Sequence, residues 1–277
     1  MNAASVLLAA GAAVCLAAAS VLQQQAAGAV APDAGVVRLL WRLVRTPRWL
    51  VGRGIDTLAL VLQALALARG SFIAVQATIT TSVVIALAMQ HRRDRPVEPV
   101  RLAGAAAVVL GVVVLLAGGR PEGGQTAERA SMWGVAVGAV AVLVALALAA
   151  ARRATNAGAV AGMLAAVTGA CFALDAAALK SLHGSPGRVV VFGLVFALAA
   201  FAGNVLVQRA FHIAPLHASL PVLTACAPIF GLFAGVLLFD ERLRPGAGPR
   251  TLALLGLVLL AGGAAVAAGA RTRILER

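Results

Sequence analysis

The chain has no tyrosine, a single lysine (Lys180) and ten acidic residues among 277. Charged residues make up 12% of it, against roughly 25% in an ordinary soluble domain. With 61% apolar residues, one soluble core of this length could not hide the apolar surface. A soluble globular protein is therefore excluded, and the bilayer is the expected solvent. Aromatics are only 4% of the chain although the net charge is +13. The basic residues lie scattered in short segments between apolar runs, which is the positive-inside pattern of membrane proteins and not a nucleic-acid surface. The three cysteines, Cys15, Cys171 and Cys226, are odd in number, lie within apolar runs and lack metal-site spacing. They read as small packing residues. There is no phosphate-cradling glycine loop, no nucleotide motif and no Ser-His-Asp arrangement. The expectation is a non-enzyme without a cofactor. No basic residue precedes Arg38, so the first apolar run lacks the charged start of a secretory signal and reads as an uncleaved helix.

What the chain does have is long apolar runs. A spanning helix needs about 20 mostly apolar residues. Nine stretches qualify, at roughly 4–28, 50–69, 72–90, 101–118, 131–151, 157–180, 188–209, 216–239 and 251–270. They are continuously apolar, whereas barrel strands alternate over about ten residues. The fold expected is an all-α polytopic membrane protein, one transmembrane domain over 1–277. The longest connector, 29–49, carries Arg38, Arg42 and Arg45 at helical spacing with Trp41 and Trp49, and reads as an interfacial amphipathic segment. Gly118–Ala130 reads as a polar loop.

The larger share of the 23 basic residues falls on the side holding Arg38–Arg53, Arg92–Arg101, Arg152, Arg153, Arg209 and the C-terminus. That share places the N-terminus outside and the C-terminus in the cytoplasm. The chain also repeats itself weakly. Gly104 and Gly111 are seven apart, as are Gly256 and Gly263. Gln63 and Gln208 occupy late positions in corresponding helices. Residues 1–118 then form a first four-helix pseudo-repeat, 131–151 a linking helix and 156–270 a second pseudo-repeat. An offset of five spans inverts one half relative to the other, a common plan of secondary transporters.

Polar groups inside spans are costly and need a reason. Asp175 lies deep in an apolar run. Lys180, five residues on, is rotated too far around the helix to pair with it easily, so Asp175 is expected to face the bundle or a wet cavity as a cation or proton site, or to bond a neighbouring helix. Asp56 follows Arg53 by three residues on the same face, which points to a local ion pair, and it also shares a face with Gln63 that could line a cavity. Gln76 and Thr80 are four apart, as are Asn204 and Gln208. These residues and Thr224 form the expected solute or ion pathway, and the sequence names no metal ligand. Pro221 and Pro228 are expected to break the eighth span by freeing carbonyls four residues earlier. Gly134-x-x-x-Gly138, Gly158-x-x-x-Gly162 and Gly231-x-x-x-Gly235 fit close helix packing.

Ser219-Leu-Pro221 with Pro228, then Leu237-Leu-Phe-Asp-Glu-Arg-Leu243 and a Gly-spaced last helix, resemble the end of the drug/metabolite transporter (EamA-like) superfamily. Thr46-Pro-Arg-Trp-Leu50, Leu62-Gln-Ala-Leu-Ala66 and Arg152-Arg-Ala-Thr-Asn156 look most like the NIPA-type magnesium transporter branch. The resemblance covers about 45–270. Ala77 and Val84 stand where Pro221 and Pro228 would have counterparts, and acidic residues in the spans are few for a hard divalent cation. The resemblance implies a secondary transporter or permease that moves a small solute across the plasma (inner) membrane by alternating access. The alternatives are a Mg²⁺ or divalent-cation permease and a non-transporting membrane scaffold. The expected setting is an integral plasma membrane protein of bacterial type, in contact with lipid and solute, with a homodimer left open and no nucleic acid.

Overall fold

A computed structural model describes residues 3–30, 36–94, 99–119, 130–153, 156–214, 216–242 and 246–269. Among them are eleven helices and no strand: α1 (Ala3–Gly28), α2 (Val36–Val44), α3 (Pro47–Leu67), α4 (Phe72–Ile79), α5 (Ser82–Asp94), α6 (Pro99–Gly119), α7 (Ala130–Ala151), α8 (Ala157–Lys180), α9 (Pro186–Ile213), α10 (Leu216–Phe239) and α11 (Ala247–Gly269). Helix starts follow local chemistry. Pro47 and Pro186 open α3 and α9, where a missing N–H costs nothing. Asn156 and Ser71 cap α8 and α4 by accepting from Ala159 N and Ala74 N, each at 3.1 Å.

By length and composition, five helices can cross a membrane: Ala3–Gly28, Pro47–Leu67, Ser131–Ala151, Ala157–Lys180 and Pro186–Ile213. Four shorter apolar helical stretches, Phe72–Ala86, Ala106–Leu115, Cys226–Phe239 and Gly248–Gly263, fall in the other expected spans. Large apolar side chains face outward along these helices, among them Leu58 and Val61 of α3, Leu146 of α7, Leu198 and Phe201 of α9, and Val258 of α11. Helices suit lipid because they satisfy their own backbone.

The expected single helix over 72–90 is two. α4 ends at Ile79 and α5 begins at Ser82. A run of hydroxyls lies at the break. Thr78 Oγ1 donates to Ala74 O, Thr80 Oγ1 to Gln76 O and Thr81 Oγ1 to Thr78 O, at 2.8, 3.0 and 2.8 Å. Such bonds compete with the helix ladder and bend it. The backbone bond from Thr81 N reaches only back to Thr78 O, at 3.1 Å. α10 continues from Leu216 to Phe239 as one element that contains Pro221 and Pro228.

Part of the connector 29–49 folds as α2, with Leu39 and Leu43 buried and Arg38, Trp41 and Arg42 exposed. The Arg45 guanidinium lies 3.5 Å from the Trp41 ring centre. Residues 120–129 of the expected polar loop lie outside the described residues.

Packing follows a two-part pattern. α1 packs on α3, α4 and α5, and α8 packs on α9 and α10. α6 contacts α4 and α5, as α11 contacts α10. The parts meet along α6–α11, α4–α10, α1–α9 and α3–α8. α7 rests mainly on α8. At α6–α11 the backbones nearly touch. A Cβ on Gly111 would lie 2.7 Å from Gly256 O, one on Gly256 2.8 Å from Gly111 O, and one on Gly263 2.6 Å from Gly104 O. The glycines whose spacing suggested a repeat therefore face one another. Of the three small-residue motifs, Gly231-x-x-x-Gly235 is a tight contact, against Gln76 and Ile73 of α4. A Cβ on Gly134, Gly138 or Gly162 would meet nothing.

Candidate functional site

A cleft of about 310 Å³ lies among α1, α3, α4, α5, α8, α9 and α10. Helical spacing builds each wall. α3 contributes Arg53, Asp56, Thr57, Leu60 and Gln63; α9 contributes Phe196, Ala200 and Asn204; α8 contributes Phe172 and Asp175. Gln76, Ile79, Thr80 and Ser82 come from around the α4–α5 break. Leu16 and Ser20 of α1 and Leu223 and Ala227 of α10 complete it.

Arg53 organises the polar end. Its Nη1 donates to Asp56 Oδ2 at 2.7 Å and to Asn204 Oδ1 at 2.6 Å. The guanidinium thus ties α3 to α9, and Trp49 lies beside it with its ring centre 5.8 Å away. Asn204 is held from behind by its own bond from Nδ2 to Ala200 O, at 2.8 Å. The expected local pair of Arg53 and Asp56 is present; the reach to Asn204 was not anticipated.

Asp175 also lines the cleft, but its carboxylate has no side-chain partner among the described residues. Lys180 turns away from it. Its Nζ pairs with Glu241 Oε1 at 3.0 Å, with side-chain exposures of 8% and 0%. Glu241 also accepts from Phe72 N at 2.6 Å, Ile73 N at 3.0 Å and Ser71 Oγ at 3.3 Å. It thereby satisfies the open N–H groups at the start of α4 with a negative charge, where the helix dipole favours one. The chain reaches this position because Asp240 takes a left-handed turn, φ 49°, and Glu241 N returns to Gly235 O at 2.9 Å. Phe239 packs beneath the pair, its ring centre 4.8 Å from Lys180 Nζ and 5.4 Å from that of Phe72. This cluster joins the end of α8, the end of α10 and the start of α4. Arg53 lies near the opposite ends of the helices, six residues into α3.

Of the expected pathway residues, Asp56, Gln63, Gln76, Thr80, Asp175 and Asn204 come together in the cleft. Gln208 does not. It is buried and donates through Nε2 to Gln23 Oε1 at 2.7 Å, tying α9 to α1. Pro228 is buried outside the lining, and the side chains of Pro221 and Thr224 lie outside those described. Sequence reasoning missed Glu241, Phe172, Phe196 and Ser20. Glu241 had a signal: a lone buried lysine at the end of α8 needs a counter-charge at the same face. The three cysteines are free, and no group of three metal-ligating side chains occurs among the described residues.

An uncharacterized protein of Corynebacterium glutamicum is 29% identical to the chain over 217 residues, covering 73% of each. No family model matches. No solved structure matches either.

Proposed function

We propose that the chain is a secondary transporter or permease of the drug/metabolite transporter type, moving a small solute across the plasma membrane by alternating access. The observation that carries this reading is the convergence of six span-embedded polar residues, from both halves of the chain, on one cleft. Polar groups in apolar helices are costly, and a scaffold would spend them on bonds between helices. Here Asp175 spends its carboxylate on none among the described residues, which argues against the scaffold.

In this reading nine helices cross the membrane, with α4 and α5 together forming the third crossing. The N-terminus lies outside and the C-terminus in the cytoplasm. Residues 1–118 and 156–270 are inverted halves joined by α7. The paired packing of α1–α3 with α8–α9, and the reciprocal glycine contacts of α6–α11, support that plan. A broken helix at the site, here α4–α5, is a recurring transporter device. The cleft lies toward the Arg53 end, while the Lys180–Glu241 pair joins helix ends at the opposite face.

The test is uptake by proteoliposomes holding the purified chain, against a panel of cationic, neutral and anionic solutes that includes Mg²⁺. Transport of at least one member, reduced about tenfold or more by Asp175→Asn (about 1.4 kcal/mol in the barrier), is the expected result. If no solute crosses faster than into empty liposomes, the transporter reading fails.

A further inference from the structure

The charge balance of the cleft points to its cargo. Three ionisable side chains line it: Arg53, Asp56 and Asp175. Arg53 and Asp56 neutralise one another at 2.7 Å, and the same guanidinium nitrogen is also engaged by Asn204. Lys180, the nearest other cation along α8, is held outside the lining by Glu241. One carboxylate, Asp175, is left without a counter-charge from another side chain among the described residues.

The remaining lining is of two kinds. Phe172 lies one helical turn before Asp175, and Phe196 lines the cleft from α9. Leu60 and Leu223 add further apolar surface, while Gln63 and Gln76 supply amides. Aromatic faces attract cations most strongly where water is scarce. A bare inorganic cation would leave the rings and leucines without a partner. A divalent ion would find one free carboxylate. An anion would find the guanidinium already engaged by Asp56 and Asn204. The geometry points to a small organic monocation, an amine or quaternary ammonium on an apolar or aromatic body, with its positive charge at Asp175 and its body against Phe172 and Phe196. A volume of about 310 Å³ suits a small ligand, at the low end of ordinary ligand sites. This inference rests on the transporter reading for its biological sense, but binding tests it separately.

The experiment measures binding to the detergent-purified full chain by calorimetry, using benzyltrimethylammonium, benzyl alcohol and phenylacetate as cationic, neutral and anionic probes of similar body. Sodium and magnesium chloride serve as inorganic probes. The cation is expected to bind at least about tenfold more tightly than either organic partner, a difference of about 1.4 kcal/mol. Asp175→Asn is expected to abolish that preference and Asp175→Glu to keep part of it. The wild-type series decides the question even where a variant fails to fold. Equal or tighter binding of phenylacetate or benzyl alcohol overturns the inference, as does Mg²⁺ binding without binding of the organic cation. Uptake of a neutral or anionic solute by proteoliposomes, with no cation bound, overturns the cargo class and leaves the transporter reading standing. Cation binding with no uptake of any solute does the reverse.

Discussion

Lys180 and Glu241 form a buried ion pair at 3.0 Å that also closes the N-terminus of α4. The two residues depend on it unequally. Removing the Glu241 carboxylate orphans Lys180 Nζ, Phe72 N, Ile73 N and Ser71 Oγ together. Removing Lys180 leaves the carboxylate with its three other donors. Breaking a buried pair from one side costs about 3–5 kcal/mol. Glu241→Ala is therefore expected in that range and Lys180→Met below it, read as loss of folded fraction in a detergent unfolding titration. Equal effects would show that the backbone bonds of α4 contribute nothing.

The α6–α11 seam predicts a positional contrast among glycines. Gly111→Leu or Gly256→Leu inserts a side chain where backbone atoms already stand 2.7–2.8 Å from a Cβ. Overpacking of this kind costs typically about 1–3 kcal/mol. Gly134→Leu and Gly138→Leu meet open space and are expected to stay within about 0.5 kcal/mol of wild type. Thermal midpoints of the four variants in one detergent check the ordering.

Arg53 offers a test of the cleft's polar end. Arg53→Met leaves Asp56 and Asn204 without their shared donor and adds a second uncompensated carboxylate. Uptake of whichever solute the panel identifies is expected to fall about tenfold, or about 1.4 kcal/mol in the barrier. Arg53→Lys keeps a positive charge and is expected to retain part of the rate. Unchanged uptake in Arg53→Met would remove this residue from the pathway.

The α4–α5 break can be closed chemically. Thr80→Val with Thr81→Val keeps the side-chain shape and removes the hydroxyls that bond Gln76 O and Thr78 O. Amide exchange over Thr80–Val84 is expected to slow as the ladder completes. Unaltered exchange would assign the break to the surrounding packing instead.

Much of this arrangement was legible because hydropathy and cost are local properties. Asp175, Asp56 and Asn204 stood out since each is expensive in its own helix, and the structure brings them to one cleft. Lys180 could be separated from Asp175 by rotation alone. The rest depended on partners that no local pattern names. Glu241 entered only as part of the Leu237–Leu243 motif, and the left-handed turn at Asp240 brings it over α4. Gln208 was grouped with Asn204 by spacing, but one further turn carries it past the cleft to Gln23. The threonines around 80 were visible as a polar stripe, yet whether a hydroxyl bonds its own carbonyl or a solute depends on what stands opposite. Gly104, Gly111, Gly256 and Gly263 suggested duplication, and spacing alone could not say that they touch.

That touching has an entropic consequence. In lipid, apolar side chains gain little by leaving one apolar neighbour for another, so helices must find another reason to associate. At Gly111–Gly256 and Gly104–Gly263 the contact is made by main chain already ordered within each helix. No rotamer has to be frozen at those points to join α6 to α11, and ordering long side chains costs up to about 2 kcal/mol each. The same points release no rotamer freedom when the helices part, so the side-chain disorder that the seam gains on coming undone must come from its neighbours, Val108, Leu115 and Leu260.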